Sequence, residues 1–182
     1  MPPLLLAHLV TTGLGPLYDG VLHVLVSPDD LLPVLALGVL AGLNGATAGR
    51  RALLAAPLAW CLGGVAGYAA GGPVLPEGVA AVSSLVIGAL VAADLRLRPA
   101  LVAALAAVVG FLHGWLNGTA LALAQREALG LVGIVATTFV LVALTAGLAA
   151  SRRSATARIV ARVAGSWVAA IGLLMAGWQL RG

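Results

Sequence analysis

Lysine is absent from this chain, cysteine occurs once, and charged side chains make up only 9% of its 182 residues. A soluble domain carries about 25% charged residues, so a water-facing globule of this size is excluded. The single thiol, Cys61, lies inside an apolar run, which rules out an internal disulfide and a Cys-type zinc site. The net charge of +4 comes from ten arginines against six carboxylates. Those arginines stand in short clusters that are not interleaved with aromatics, an arrangement that argues against a nucleic-acid partner. No glycine-rich phosphate loop is present, so the chain alone cannot be an ATP-driven pump.

Apolar side chains dominate instead: 62% of residues are hydrophobic and the mean hydropathy is +1.10. The solvent for most of this surface must be a lipid bilayer. We read an all-α, polytopic transmembrane bundle, a single domain over 1–182. Six strong spans are expected, at Asp29–Gly49, Arg51–Gly71, Gly78–Leu97, Pro99–Ala122, Glu127–Ala150 and Ala157–Leu180. Glycine, proline or arginine interrupts the chain between them. The opening Met1-Pro2-Pro3 has no basic region of the kind that starts a signal peptide, and reads as mature protein. The segment from Pro3 to Val26 is broken at Gly13-Leu14-Gly15-Pro16. It either crosses, making a seventh span, or dips in and returns as a re-entrant element.

Arg50, Arg51, Arg96, Arg98, Arg152, Arg153, Arg158 and Arg162 fall in the first, third and fifth connections, and only Arg126 and Arg181 on the other side. Positive charge is retained in the cytoplasm, so the odd connections and Asp29–Asp30 are expected on opposite faces, with the C-terminus outside the cell. Asp94 reads as a local ion-pair partner for Arg96 and Arg98, and Glu127 as a first-turn acid of the fifth span. Glycines four apart, as in Gly63-Gly67-Gly71 and Gly110-Gly114-Gly118, predict close helix approach. Trp60, Tyr68, Trp167 and Trp178 read as interfacial anchors.

The polar residues concentrate in one stretch, Gly15 to Asp30, which holds three of the six acids and His23. Asp19 and His23 are four apart and share a helix face. Carboxylate oxygen with imidazole nitrogen suits a borderline divalent transition metal, and groups of this kind next to a span mark a binding or transport site. Ser27-Pro28-Asp29-Asp30 is equally a good helix start, with Ser27 as N-cap, Pro28 at N1 and Asp30 in a near capping-box position. Both readings stand at this point for Asp29 and Asp30. A second element, Gly110 to Gly118, puts His113 and Asn117 on one face. Fourteen residues from Pro99, His113 lies roughly 21 Å along the helix, in the outer half of the hydrocarbon. There it either joins the first group or bonds a backbone carbonyl. Tyr18 and Gly114 flank these groups. His8 carries no reading of its own.

These two motifs resemble those of the HupE/UreJ family, bacterial membrane proteins associated with nickel supply to hydrogenase and urease. The family pattern is a histidine, five residues, then Asp-His; here it reads His23 to Asp29-Asp30, with Asp30 in place of the second histidine. The later Phe-His-Gly motif reads Phe111-Leu112-His113-Gly114, with one extra residue. Gly13 to Gly20 with Leu31 to Leu37 is similar to a divergent branch of the family. The resemblance implies His23, Asp29 and His113 as metal-contacting positions, with Asp30 beside them; the residues themselves add Asp19 to the metal set and Asn117, Gly114 and Tyr18 to the pathway. It implies a non-enzymatic permease of the bacterial inner membrane. A divalent ion, Ni²⁺ first, would be its substrate and no resident cofactor would be required; a homo-oligomer is left open. The alternative is a channel for a small neutral molecule or dissolved gas.

Overall fold

The computed structural model describes residues 11–72, 75–76, 78–152 and 154–181. His8, Pro73 and Arg153 therefore lie outside the described residues. Within them the chain forms seven helices and no strand: α1 (Pro16–Val26), α2 (Pro28–Leu43), α3 (Ala46–Ala70), α4 (Gly78–Ala92), α5 (Pro99–Leu123), α6 (Leu129–Ser151) and α7 (Ala155–Gln179).

Local chemistry sets the boundaries. Proline occupies the first helical position of α1, α2 and α5, where its missing N–H removes no hydrogen bond. Ser27, held extended by the proline that follows it, separates α1 from α2. Gly45 turns the chain from α2 into α3 at φ +99°, a value that L side chains avoid. Ser154 caps α7 by accepting from the backbone N–H of Ala157.

The expectation of six strong spans is not supported. Among the described residues four helices (α3, α5, α6 and α7) are long and apolar enough to cross a membrane, and a fifth span results only if α1 and α2 together make one bent by 73°. The segment read as Asp29–Gly49 ends as a helix at Leu43, because Asn44-Gly45 stops it; Arg50 and Arg51 then fall inside α3. The segment read as Gly78–Leu97 stops at Ala92. Its 15 residues rise about 22 Å, short of a hydrocarbon core about 30 Å thick.

α2 sits at the centre. It packs on α6, α4 and α3, and buries Val34, Leu37, Leu40 and Ala41. The closest helix pair is α3 with α5, where the glycine stripes mesh: a Cβ at Gly114 would collide with the Trp60 carbonyl, and one at Gly118 with that of Gly64. α1 lies against α6 in the same way, its Leu17 carbonyl seated over Gly133.

At one end of the bundle the odd connections are tied together. Arg96 Nη1 donates to Leu43 O (2.9 Å), Leu97 N–H to Asn44 Oδ1 (2.7 Å), and Arg158 pairs with Asp94. Asp94 thus finds its partner across the bundle on α7 rather than in Arg96 or Arg98. At the opposite end the Tyr68 hydroxyl donates to Arg126 O (2.9 Å). Of the four supposed interfacial aromatics, Trp60 is instead in the core, 1% exposed, while Trp167 and Trp178 do face outward.

Candidate functional site

The bend at Ser27 decides the site. Because α1 turns across the end of the bundle, His23 in its last turn comes back toward α5, while Asp30 in the first turn of α2 points inward. From α5, His113 and Asn117 project from one face to meet them. His113 Nδ1 lies 2.7 Å from Asp30 Oδ1, and His23 Nε2 lies 3.3 Å from Asp30 Oδ2. The Asn117 amide closes the ring, donating from Nδ2 to Asp30 Oδ2 (3.0 Å) with its oxygen 2.7 Å from His23 Nε2. All four side chains are buried, and His113 is completely so.

Hydroxyls hold the outer nitrogens. Ser27 Oγ stands 3.4 Å from His23 Nδ1, and Ser83 Oγ on α4 stands 2.7 Å from His113 Nε2. The Ser83 hydroxyl has one hydrogen and two acceptors within reach, since Ala80 O is 2.9 Å away. The hydroxyl can therefore donate to His113 Nε2, or donate to Ala80 and accept from His113 Nε2–H, so it partners the ring in either tautomer. Trp60, itself buried, packs its ring against His113, centroids 5.3 Å apart.

The network is reached from one end of the bundle. A cavity of about 260 Å³ opens between α1, the end of α5 and the start of α6, lined by Asp19, His23, Gln125, Arg126 and Glu127 among others. Asp19 Oδ1 accepts from both the backbone N–H and the hydroxyl of Thr12, each at 2.6 Å. Glu127 precedes the α6 N-cap, so it borders the cavity instead of sitting in the first turn.

The structure thus brings together His23, Asp30, His113 and Asn117, and places Asp19 at the entrance. Asp29 is half-buried in the first turn of α2. Tyr18 is 54% exposed on the outside of α1, and Gly114 is enclosed in the α3–α5 contact. The capping reading of Asp30 does not describe it. The Ser27 side chain makes no cap bond, and the Ser27 N–H already bonds His23 O (3.0 Å), so the Asp30 carboxylate is free to turn toward the imidazoles. Nor does His113 spend its ring on a backbone carbonyl. Ser83 was missed by the sequence reading. Its signal was weak but present: Ser83 and Ser84 are the only hydroxyls in the apolar run of α4. Among the described residues no group of three or more His, Cys, Asp and Glu side chains is arranged to hold a metal ion as it stands. The donors face one another and are bonded to one another.

Comparison with known proteins agrees with this arrangement of motifs. Residues 1–175 match the family described as HupE / UreJ protein. The chain is 28% identical over 176 residues to Protein HupE of Rhizobium leguminosarum bv. viciae, covering 94% of this chain and 90% of that protein. No solved structure matches it. With nearly its whole length matched and several apolar helices able to cross a bilayer, the chain is a multi-pass membrane protein of the HupE/UreJ family, a transport and accessory family rather than an enzymatic one.

Proposed function

We propose that the chain is a permease for a divalent transition-metal ion, Ni²⁺ first, which enters through the Asp19 cavity and is handed to His23, Asp30 and His113. The observation that carries this reading is a carboxylate buried between two imidazoles, one of which, His23, lines a cavity that also bears Asp19 and Glu127. A carboxylate inside a membrane bundle is rare, and it marks an ion pathway unless a structural cation neutralises it. Here the two ion-pairing partners are histidines, which are metal ligands once their donor hydrogens are displaced.

Asp19 and Glu127 would gather the cation, with Arg126 beside them limiting how tightly it is held. His23 lies on the wall of the cavity and belongs to the inner network as well, so it is the residue that would pass the ion inward. Binding then replaces hydrogen bonds within the network by bonds to the metal, and release restores them. A site of this kind holds its ion weakly, as conduction demands. Without a nucleotide site, transport would be facilitated or driven by an ion gradient. Asn117 positions Asp30 and His23, while Asp29, next to Asp30 in the first turn of α2, would offer a further oxygen.

A second reading, a channel for a small neutral molecule, draws on the same network, because its members already satisfy one another without a metal. Uptake of radioactive nickel by proteoliposomes separates the two. Wild type is expected to accumulate nickel, and Asp30→Asn and His113→Gln to lose more than tenfold of that flux. Equal flux in all three would remove the permease reading.

A further inference from the structure

A second cavity, of about 350 Å³, lies at the other end of the bundle and takes no part in the proposed cation path. It sits where α2 turns into α3, and its wall includes Asn44, Gly45, Arg96, Arg152 and Arg158. Ile134 in the first cavity and Ala149 in the second are fifteen residues apart on α6, about 22 Å along its axis. Among the described residues no carboxylate lines this second cavity; Asp94 stands behind Arg158 and pairs with it. Three guanidiniums against one carboxylate leave two positive charges at a concave site. A departing cation would be repelled there, and an anion held.

We propose that this cavity binds a phosphate-bearing anion, with the headgroup of an acidic glycerophospholipid or free phosphate as its source. The guanidiniums are fixed but not used up. Arg96 spends one N–H on Leu43 O and Arg158 is anchored by Asp94, which leaves most of their five donors each for a ligand. The wall is rigid because both ends of the Asn44 amide are engaged, Nδ2 donating to Leu40 O (2.9 Å) and Oδ1 accepting from Leu97 N–H (2.7 Å). The space in front of Gly45 is open, with nothing within 4 Å of where its Cβ would stand. The volume lies within the roughly 300–1,000 Å³ usual for small-ligand pockets, and a basic recess between helix ends at the membrane surface is a form that lipid headgroup sites take.

The test is native mass spectrometry of the purified full chain with phosphatidylglycerol, with phosphatidylcholine, and with phosphatidylcholine plus inorganic phosphate. Phosphatidylglycerol is expected to be retained over phosphatidylcholine. Arg152→Gln should lower its occupancy about fivefold, the effect of roughly 1 kcal/mol for one arginine near the surface. Arg98→Gln removes the same charge at the same end but outside the cavity, and should leave occupancy unchanged. Arg152 is exposed, so that variant keeps its fold even if Arg96→Gln, which also releases the Leu43 carbonyl, does not. Phosphate that binds with the same Arg152 dependence, and displaces the lipid, would make free phosphate the ligand and keep the site. Equal losses in Arg98→Gln and Arg152→Gln, or no binding of either probe, would overturn it.

Discussion

Asp30 is solvated by three side chains from two other helices, and that is what makes its burial tolerable. An unpaired charge in such surroundings costs several kcal/mol, whereas charge-assisted hydrogen bonds return roughly 1.5–3 kcal/mol each. Ser83 reaches this network through His113, and its removal leaves Nε2 facing the apolar wall of α4. Ser83→Ala should therefore lower thermal stability by about 1–3 kcal/mol, the cost of one unsatisfied buried polar atom. A melting curve in detergent reads this directly, and an unchanged midpoint would mean that the contact between the Ser83 hydroxyl and His113 contributes nothing to stability. Ser84, its neighbour, is the natural control: it is fully buried and its hydroxyl finds no hydrogen-bond partner among the described residues, so Ser84→Ala should cost nothing in hydrogen bonding.

Among the helices, α3 and α5 carry the site on a backbone-to-backbone contact. Each of Gly110, Gly114 and Gly118 admits a carbonyl of α3 where a methyl group would stand. This brings Trp60 onto His113 and fixes the height at which His113 and Asn117 meet α2. Gly114→Ala would push the two helices apart, with an expected loss of about 1–3 kcal/mol for overpacking and a parallel loss of nickel uptake. Gly147 in α6 has nothing within 4 Å of its Cβ position, so Gly147→Ala should be neutral or stabilising by up to about 1 kcal/mol. Paired thermal unfolding and uptake of these two variants check the claim. Similar effects from both would show that the glycines serve flexibility and not approach.

For the molecule as a whole, the two cavities have opposite electrostatic character and stand at opposite ends. If positive charge marks the cytoplasmic face, the arginine-lined cavity is inside and the Asp19 cavity is outside. In a Cys61→Ser background, a cysteine at Gln125 should then react with an impermeant thiol reagent on intact cells, and one at Ser154 only after lysis. The reverse pattern would turn the proposed importer into an exporter without altering any contact described above. Outside the core, α7 presents Trp167, Leu174 and Trp178 to its surroundings, at 69%, 72% and 80% exposure, as a helix bathed in lipid does.

Composition and hydrophobic pattern were enough to establish an all-helical membrane protein, the approximate positions of the long helices α3, α5, α6 and α7, and the polar stretches worth watching. These are consequences of local chemistry: apolar run length, proline at helix starts, glycine at stops. They overcounted the spans, because an apolar run shows that a segment avoids water and not how much of it stays helical, as Asn44-Gly45 and the early end of α4 demonstrate. The motif residues Asp19, His23, Asp29, Asp30, His113 and Asn117 were visible, yet their roles were not separable. Which of Asp29 and Asp30 turns inward depends on a 73° bend that no periodicity encodes, and on a Ser27 N–H already taken by α1. Ser83 and Trp60 joined the site only through the packing of α4 and α3 against it, since residues thirty or more positions apart are brought into contact by tertiary structure alone.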